Sequence, residues 1–148
     1  AGAPRASFLP GAVELIAEAV RAGLQLAIVS ANAESAIRAT LERLAVVERF
    51  TVIVGRDPCR PLKPEPDMHH EALRVLGCAP EAALGIGDST NDVRAALAAG
   101  MLAVGVAGGE GTQGDLLAAG ASFVLADLTA APVLLALWRA AADDDGHL

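Results

Sequence analysis

The chain has 148 residues, room for one domain, with 53% hydrophobic residues and a mean hydropathy of +0.45, so its bulk is not disordered. Aromatic residues make up 3% and the formal net charge is -7, which argues against a base-stacking or polyanion-binding surface. Cys59 and Cys78 form no disulfide framework or metal spacing, no apolar run reaches the roughly 20 residues of a membrane span, and the start carries no signal-peptide pattern. A cytoplasmic protein with free thiols, and with neither nucleic acid nor membrane as partner, is the expectation.

Residues 1–9 read as an irregular lead-in punctuated by Pro10-Gly11. A helix follows at about 11–22, with Val13, Ile16, Ala19 and Val20 on one face and Gly23 as its stop. Residues 24–29 form an apolar strand ending at Ser30, and residues 33–46 return to helical spacing through Ile37, Leu41 and Leu44. Residues 50–54 are a β-branched strand, and 56–66, with four prolines, a loop. A helix over 67–76 ends at Gly77. Strand 83–86 leads into Gly87-Asp88, then a helix over about 91–99 stops at Gly100. Strand 102–106, a loop with Gly108, Gly109 and Gly111, a short helix near 113–119, strand 123–125 and a last helix from about Pro132 complete the chain. Strands alternating with helix-length crossovers imply an α/β fold with a doubly wound parallel sheet. Ligands of such sheets bind outside the carboxyl ends of the strands.

Three strand ends carry polar chemistry. Ser30 closes the first strand, where a hydroxyl and the next backbone N–H groups suit an anion; a helix-entry cap shared by Ser30 or Asn32 is the competing reading. Lys63 lies in Arg60-Pro61-Leu62-Lys63-Pro64-Glu65-Pro66-Asp67, and the prolines fix where its ammonium points. It is the only lysine among eleven cationic residues, in a chain that otherwise uses arginine. Gly87-Asp88-Ser89-Thr90-Asn91-Asp92 delivers two carboxylates four residues apart at a strand tip. Paired hard oxygens beside phosphate favour Mg²⁺; a helix cap by Asp88 or Ser89, with Asp92 aiding the dipole, uses the same letters.

In this order the three segments resemble motifs II, III and IV of the haloacid dehalogenase superfamily, over about Leu9 to Trp138. Motif IV and the Ala-Ala-Leu-Ala-Ala-Gly-Met after it are similar in wording to phosphoglycolate phosphatase-like and phosphosugar-mutase-like members. The resemblance implies a Rossmann-like core and a Mg²⁺-dependent phosphatase of small phosphorylated metabolites. Ser30 and Lys63 would hold the phosphoryl oxygens, with Asn32 helping to orient the loop. Asp88 would bind Mg²⁺ and Asp92 would support it, through water or by pairing with Lys63.

The same resemblance implies a motif I strand ending in DxD, whose first Asp is the nucleophile of a phosphoaspartyl intermediate. No such pattern precedes Ser30, and residues 1–24 contain no Asp. The chain reads as the C-terminal portion of the core, residues 1–148, without a cap domain and with an acidic tail at 142–148. In the family that strand lies between the strands bearing motifs II and IV. Either upstream sequence supplies that strand and its Asp, or another segment fills the place; without it the expectation is a split sheet, exposed edges, self-association or a partner chain, and no turnover by this chain alone. A noncatalytic binding or assembly module is the second expectation. Asp143-Asp144-Asp145-Gly146 has motif I letters but follows a helical stretch, so it reads as solvated tail. His69-His70 at a helix start reads as exposed, Trp138 as a packing residue, and Gly108–Gly111 as either a substrate loop or a flexible connector.

Overall fold

A computed structural model describes residues 11–145. In chain order the elements are α1 (Ala12–Arg21), β1 (Ala27–Val29), α2 (Glu34–Arg43), β2 (Val52–Val54), α3 (Asp67–Leu76), β3 (Leu84–Gly87), α4 (Thr90–Ala98), β4 (Leu102–Val106), α5 (Gln113–Ala118), β5 (Phe123–Leu125) and α6 (Ala131–Asp145). Short 3-10 turns at Val47–Arg49, Pro80–Ala82 and Leu128–Ala130 lead into β2, β3 and α6.

All observed strand pairs are parallel, and each is joined by a helical crossover. The strands form two sheets among the described residues, β1-β2 and β3-β4-β5. Within each sheet, parallel pairing places the carboxyl ends together: Ser30 and Gly55 follow the tips of one sheet, Asp88 and Ala107 those of the other.

Side-chain alternation sorts the core into two layers. On β1-β2, Ile28 and Ile53 face Ile16 of α1 and Ile37 and Leu41 of α2. Ala27, Val29, Val52 and Val54 face Met68 and Ala72 of α3. On the other sheet, Ala103 and Val124 meet Val93 and Ala96 of α4 and Leu116 of α5. Val106 and Leu125 meet Ala12 of α1 and Ala131 of α6. Helix α1 therefore underlies both sheets on one face, while α3 and α4 touch each other on the opposite face. This is the doubly wound arrangement expected of the sequence.

β1 is shorter than the apolar run 24–29. Gly23 takes a left-handed backbone (φ +78), and the Leu24 N–H turns back to the Ala19 carbonyl at 3.0 Å. That bond closes the end of α1 and draws the start of the run away from the sheet, so that contact with the neighbouring strand begins only at Leu26, whose carbonyl accepts the Thr51 N–H at 2.8 Å. Helix α6 runs through Asp145, so Asp143-Asp144-Asp145 belongs to a helix rather than to a strand end or a separate tail; Gly146 to Leu148 and the lead-in 1–9 lie outside the described residues. No helix among the described residues is long and apolar enough to cross a membrane.

Candidate active site

The tips of β1 and β3 converge on Lys63. Its Nζ donates to the Val29 carbonyl at the end of β1 (3.2 Å) and to Asp92 Oδ1 in the first turn of α4 (2.5 Å). The proline loop between β2 and α3 carries it there, and the Lys63–Pro64 peptide bond is cis. Both partners are largely buried, with side-chain exposures of 15% and 19%. One ammonium thus ties the β1-β2 unit to the β3-β4-β5 unit where their edges face each other.

Asp92 is fully engaged. Its Oδ2 accepts the Ser89 N–H at 3.1 Å, while its own N–H donates to Ser89 Oγ at 3.1 Å. Ser89 is thus the N-cap of α4 and Asp92 the reciprocal member of a capping box. Burial alone would raise the Asp92 pKa. The Lys63 charge, the Lys63 hydrogen bond and the Ser89 hydrogen bonds outweigh burial and hold it below the ordinary carboxylate value. Gly87 makes this seat possible: a Cβ there would lie 2.6 Å from Asp92 Cγ.

Asp88 stands at the tip of β3, half-buried. Its carbonyl accepts the Gly111 N–H at 2.9 Å, and its carboxylate lies against Gly109. Ser30 is half-buried at the tip of β1. Its Oγ accepts the Asn32 N–H at 3.1 Å, forming a local turn. The N-cap of α2 is Ala33, with no side-chain cap, so neither Ser30 nor Asn32 serves as a helix cap. Asn32 is exposed and joins the site by its backbone, its carbonyl accepting the Arg56 N–H at 2.8 Å. Four of the five expected residues therefore gather at two neighbouring strand tips, and the Asn32 side chain stands outside.

His69 departs from the expectation of an exposed helix start. It is only 8% exposed, its Nδ1 is buried with no hydrogen-bond partner among the described residues, and His70 of the pair faces solvent. Burial lowers its pKa to about 4; the Lys63 charge adds to this, Asp92 opposes it and His70 adds to it. Its spacing to Ala72 and Leu73, both buried on α3, is the helical signal that marks its face as inward. Trp138 on α6 is half-buried.

Asp88 fits a hard dication, because its carboxylate is a hard-oxygen donor for which no hydrogen bond is found among the described residues. Asp92 does not, because Lys63 and Ser89 occupy its two oxygens. No group of three or more His, Cys, Asp or Glu side chains converges as a metal cage among the described residues. One carboxylate is nonetheless compatible with Mg²⁺, which keeps several waters and binds through one or two carboxylates plus phosphate.

A doubly wound parallel α/β protein, with Ser, Lys and Asp side chains gathered at two strand tips, is the class that fold and site define. The chain belongs to the haloacid dehalogenase-like hydrolase family, whose model matches residues 3–106. It is 39% identical over 128 residues to the protein CbbY of Rhodobacter capsulatus, covering 84% of this chain and 55% of that protein. It is 37% identical over 97 residues to a phosphoglycolate phosphatase of Mesorhizobium japonicum, covering 66% and 43%. Among solved structures, CbbY of Rhodobacter sphaeroides in complex with xylulose-(1,5)bisphosphate superposes with a TM-score of 0.74 at 35% identity, covering 82% of this chain and 54% of that one. The chain spans about half the length of the curated relatives it matches.

Proposed function

We propose that this chain is the core of a Mg²⁺-dependent phosphomonoester hydrolase acting on a small phosphorylated metabolite of the phosphoglycolate or sugar-phosphate kind. The observation that carries the reading is Lys63, held at once by the tip of β1 and by Asp92 beside the tip of β3. Two of its three donors are spent on the protein, which leaves one for a ligand. Ser30 keeps a hydroxyl proton to donate, because its oxygen is the acceptor in its turn with Asn32. Lys63 and Ser30 then bind the phosphoryl oxygens, and the cation offsets their charge as it grows in the transition state. Asp88 holds Mg²⁺, which when bound polarises the phosphoryl group and screens it from the carboxylates. Asp92 acts through Lys63, as a positioning residue. CbbY, similar to this chain, has been seen with phosphate and with a sugar bisphosphate, which supports a phosphorylated ligand.

The family reaction runs through a phosphoaspartyl intermediate, in which a carboxylate displaces the alcohol from phosphorus and water then releases phosphate. No DxD stands at a strand tip among the described residues, so the polypeptide binds without turning over by itself. A second reading, a noncatalytic module completed by a partner chain or a second copy, is favoured by β1 and β3, each paired along one edge only among the described residues.

Calorimetric titration of the chain with inorganic phosphate, with and without Mg²⁺, tests the first reading. Binding that Mg²⁺ strengthens, that Asp88→Asn uncouples from Mg²⁺ and that Lys63→Met abolishes is the expected result. Phosphate binding indifferent to both substitutions would overturn it. Phosphatase activity of this polypeptide, abolished by Asp88→Asn, would overturn the absence of turnover. A dimer in sedimentation without phosphate binding would favour the second reading.

A further inference from the structure

The loop from Ala107 to Gly111, between β4 and α5, lies beyond the segment that matches the family and has no part in the chemistry above. It leaves the sheet at the same edge as Asp88, from the strand beside β3. It holds Asp88 twice. The Gly111 N–H donates to the Asp88 carbonyl at 2.9 Å, and the Gly109 backbone passes so close to the side chain that a Cβ there would lie 2.7 Å from Asp88 Cγ. We propose that Gly109 is a positioning residue for Asp88, the loop forming a backbone seat that sets where this carboxylate meets the metal. The proposal rests on the reading of Asp88 as the Mg²⁺ ligand.

Three features make the seat rigid rather than a slack connector. The Ala107 N–H is fixed to the Leu125 carbonyl at 2.8 Å. Thr112 and Asp115 form a capping box that locks the start of α5. Gly111 packs between the Asp88 carbonyl and Leu116, a fully buried side chain. The loop is therefore anchored on both sides of Gly109, at Ala107 and at Gly111, and an added methyl at 109 presses on Asp88. The backbone at Gly109 is also not left-handed; in this loop only Gly108 is (φ +98). Alanine at 109 is consequently spared the left-handed penalty, and its cost falls on the Asp88 side chain. Displacing a metal-ligating carboxylate through its supporting residue typically lowers affinity about 10- to 100-fold.

The test uses the full chain and paramagnetic Mn²⁺ in place of Mg²⁺, read from broadening of backbone amide signals in two-dimensional NMR with phosphate present. In the unaltered chain Mn²⁺ broadens Gly87, Asp88, Ser89, Gly109 and Gly111. Gly109→Ala weakens Mn²⁺ by about 10-fold or more, whereas Gly114→Ala, whose Cβ would meet only Thr112 Oγ1 at an ordinary 4.0 Å, leaves affinity unchanged. Unchanged Mn²⁺ affinity in folded Gly109→Ala overturns the proposal while leaving the Asp88 reading standing. Amides 87–89 untouched by Mn²⁺ in the unaltered chain overturn the Asp88 reading and, with it, the seat's function. If Gly109→Ala melts too low to titrate, a stability cycle decides. Its loss of melting temperature should vanish in an Asp88→Gly background, where the clashing atoms are gone; an equal loss in both backgrounds overturns the seat.

Discussion

Replacing Lys63 by methionine keeps the stem that reaches the strand tips and removes only the ammonium. Asp92 then loses its ion-pair partner while remaining largely buried, although Ser89 still donates to it. Lys63→Met should lower stability by about 1–3 kcal/mol, the cost of stranding a buried acceptor, measured by urea denaturation. The Asp92 pKa should rise in the same variant, because burial, which pushes it upward, is then no longer outweighed by the Lys63 charge. An unchanged Asp92 titration by NMR would mean that Lys63 does not set its charge state. The site was legible to this depth in the letters. A single lysine in a chain written otherwise in arginine, and an Asp-Ser-Thr-Asn-Asp run at a strand end, pointed to the residues that meet. What the letters left open was whether Asp92 supports the site through water or by pairing with Lys63. The capping box spends Asp92 on Ser89 and Lys63, leaving Asp88 free, and that division depends on the first turn of α4 rather than on spacing. Gly109 and His69 were less legible still. A close approach from a neighbouring strand's loop leaves no local signal, and a histidine two residues into a helix reads as solvated until its face is known.

At the scale of elements, burial follows the number of strand neighbours. β4 pairs on both sides, and Ala103 to Val106 are buried along it. β1 and β3 pair on one side each among the described residues; every residue of β1 is half-buried and Ile86 of β3 is 36% exposed. These strands are as apolar as β4, and continuous apolar runs are the mark of strands meant for full burial. Amide hydrogen exchange of this chain should therefore be slowest in β4 and measurably faster in β1 and β3, because exchange tracks local burial and pairing. Protection of β1 equal to that of β4 would show its free edge to be covered, by a second copy if sedimentation gives a dimer. The strands and their alternation with helices were legible from apolar runs and glycine stops, since Gly23, Gly77 and Gly100 all end helices as read. Strand length was not, because the chain reversal at Gly23 draws Leu24 back onto α1. The 3-10 turns also escaped, being too short to show a period.

The whole molecule adds a dependence on pH that centres on the junction between its two sheets. Helices α3 and α4 meet on the face over this junction, and His69 lies buried between them beside the Lys63–Asp92 pair. In the folded chain the imidazole stays neutral down to about pH 4, whereas in the unfolded chain it binds a proton near pH 6.5. Between these values the unfolded state carries more protons, so stability rises with pH and is lost as pH falls from 6.5 towards 4. The full separation of the two values corresponds to about 3 kcal/mol. Asp92 acts in the same direction further down: its folded pKa is depressed, so its contribution is present above the ordinary carboxylate value and is lost as pH falls below it. The exposed pairs Glu71–Arg74 and Glu34–Arg38 add little to this slope, being screened by solvent. His69→Phe separates the two components. It removes the titration between pH 6.5 and 4 and leaves the loss below it, and because Nδ1 has no partner among the described residues it should raise stability at pH 7 by about 1 kcal/mol rather than lower it. Thermal melting of the two chains from pH 7 to pH 4 gives the comparison. Parallel curves would show that His69 is protonated equally in both states, and a fall in stability at pH 7 would show that its ring nitrogen holds a bond after all.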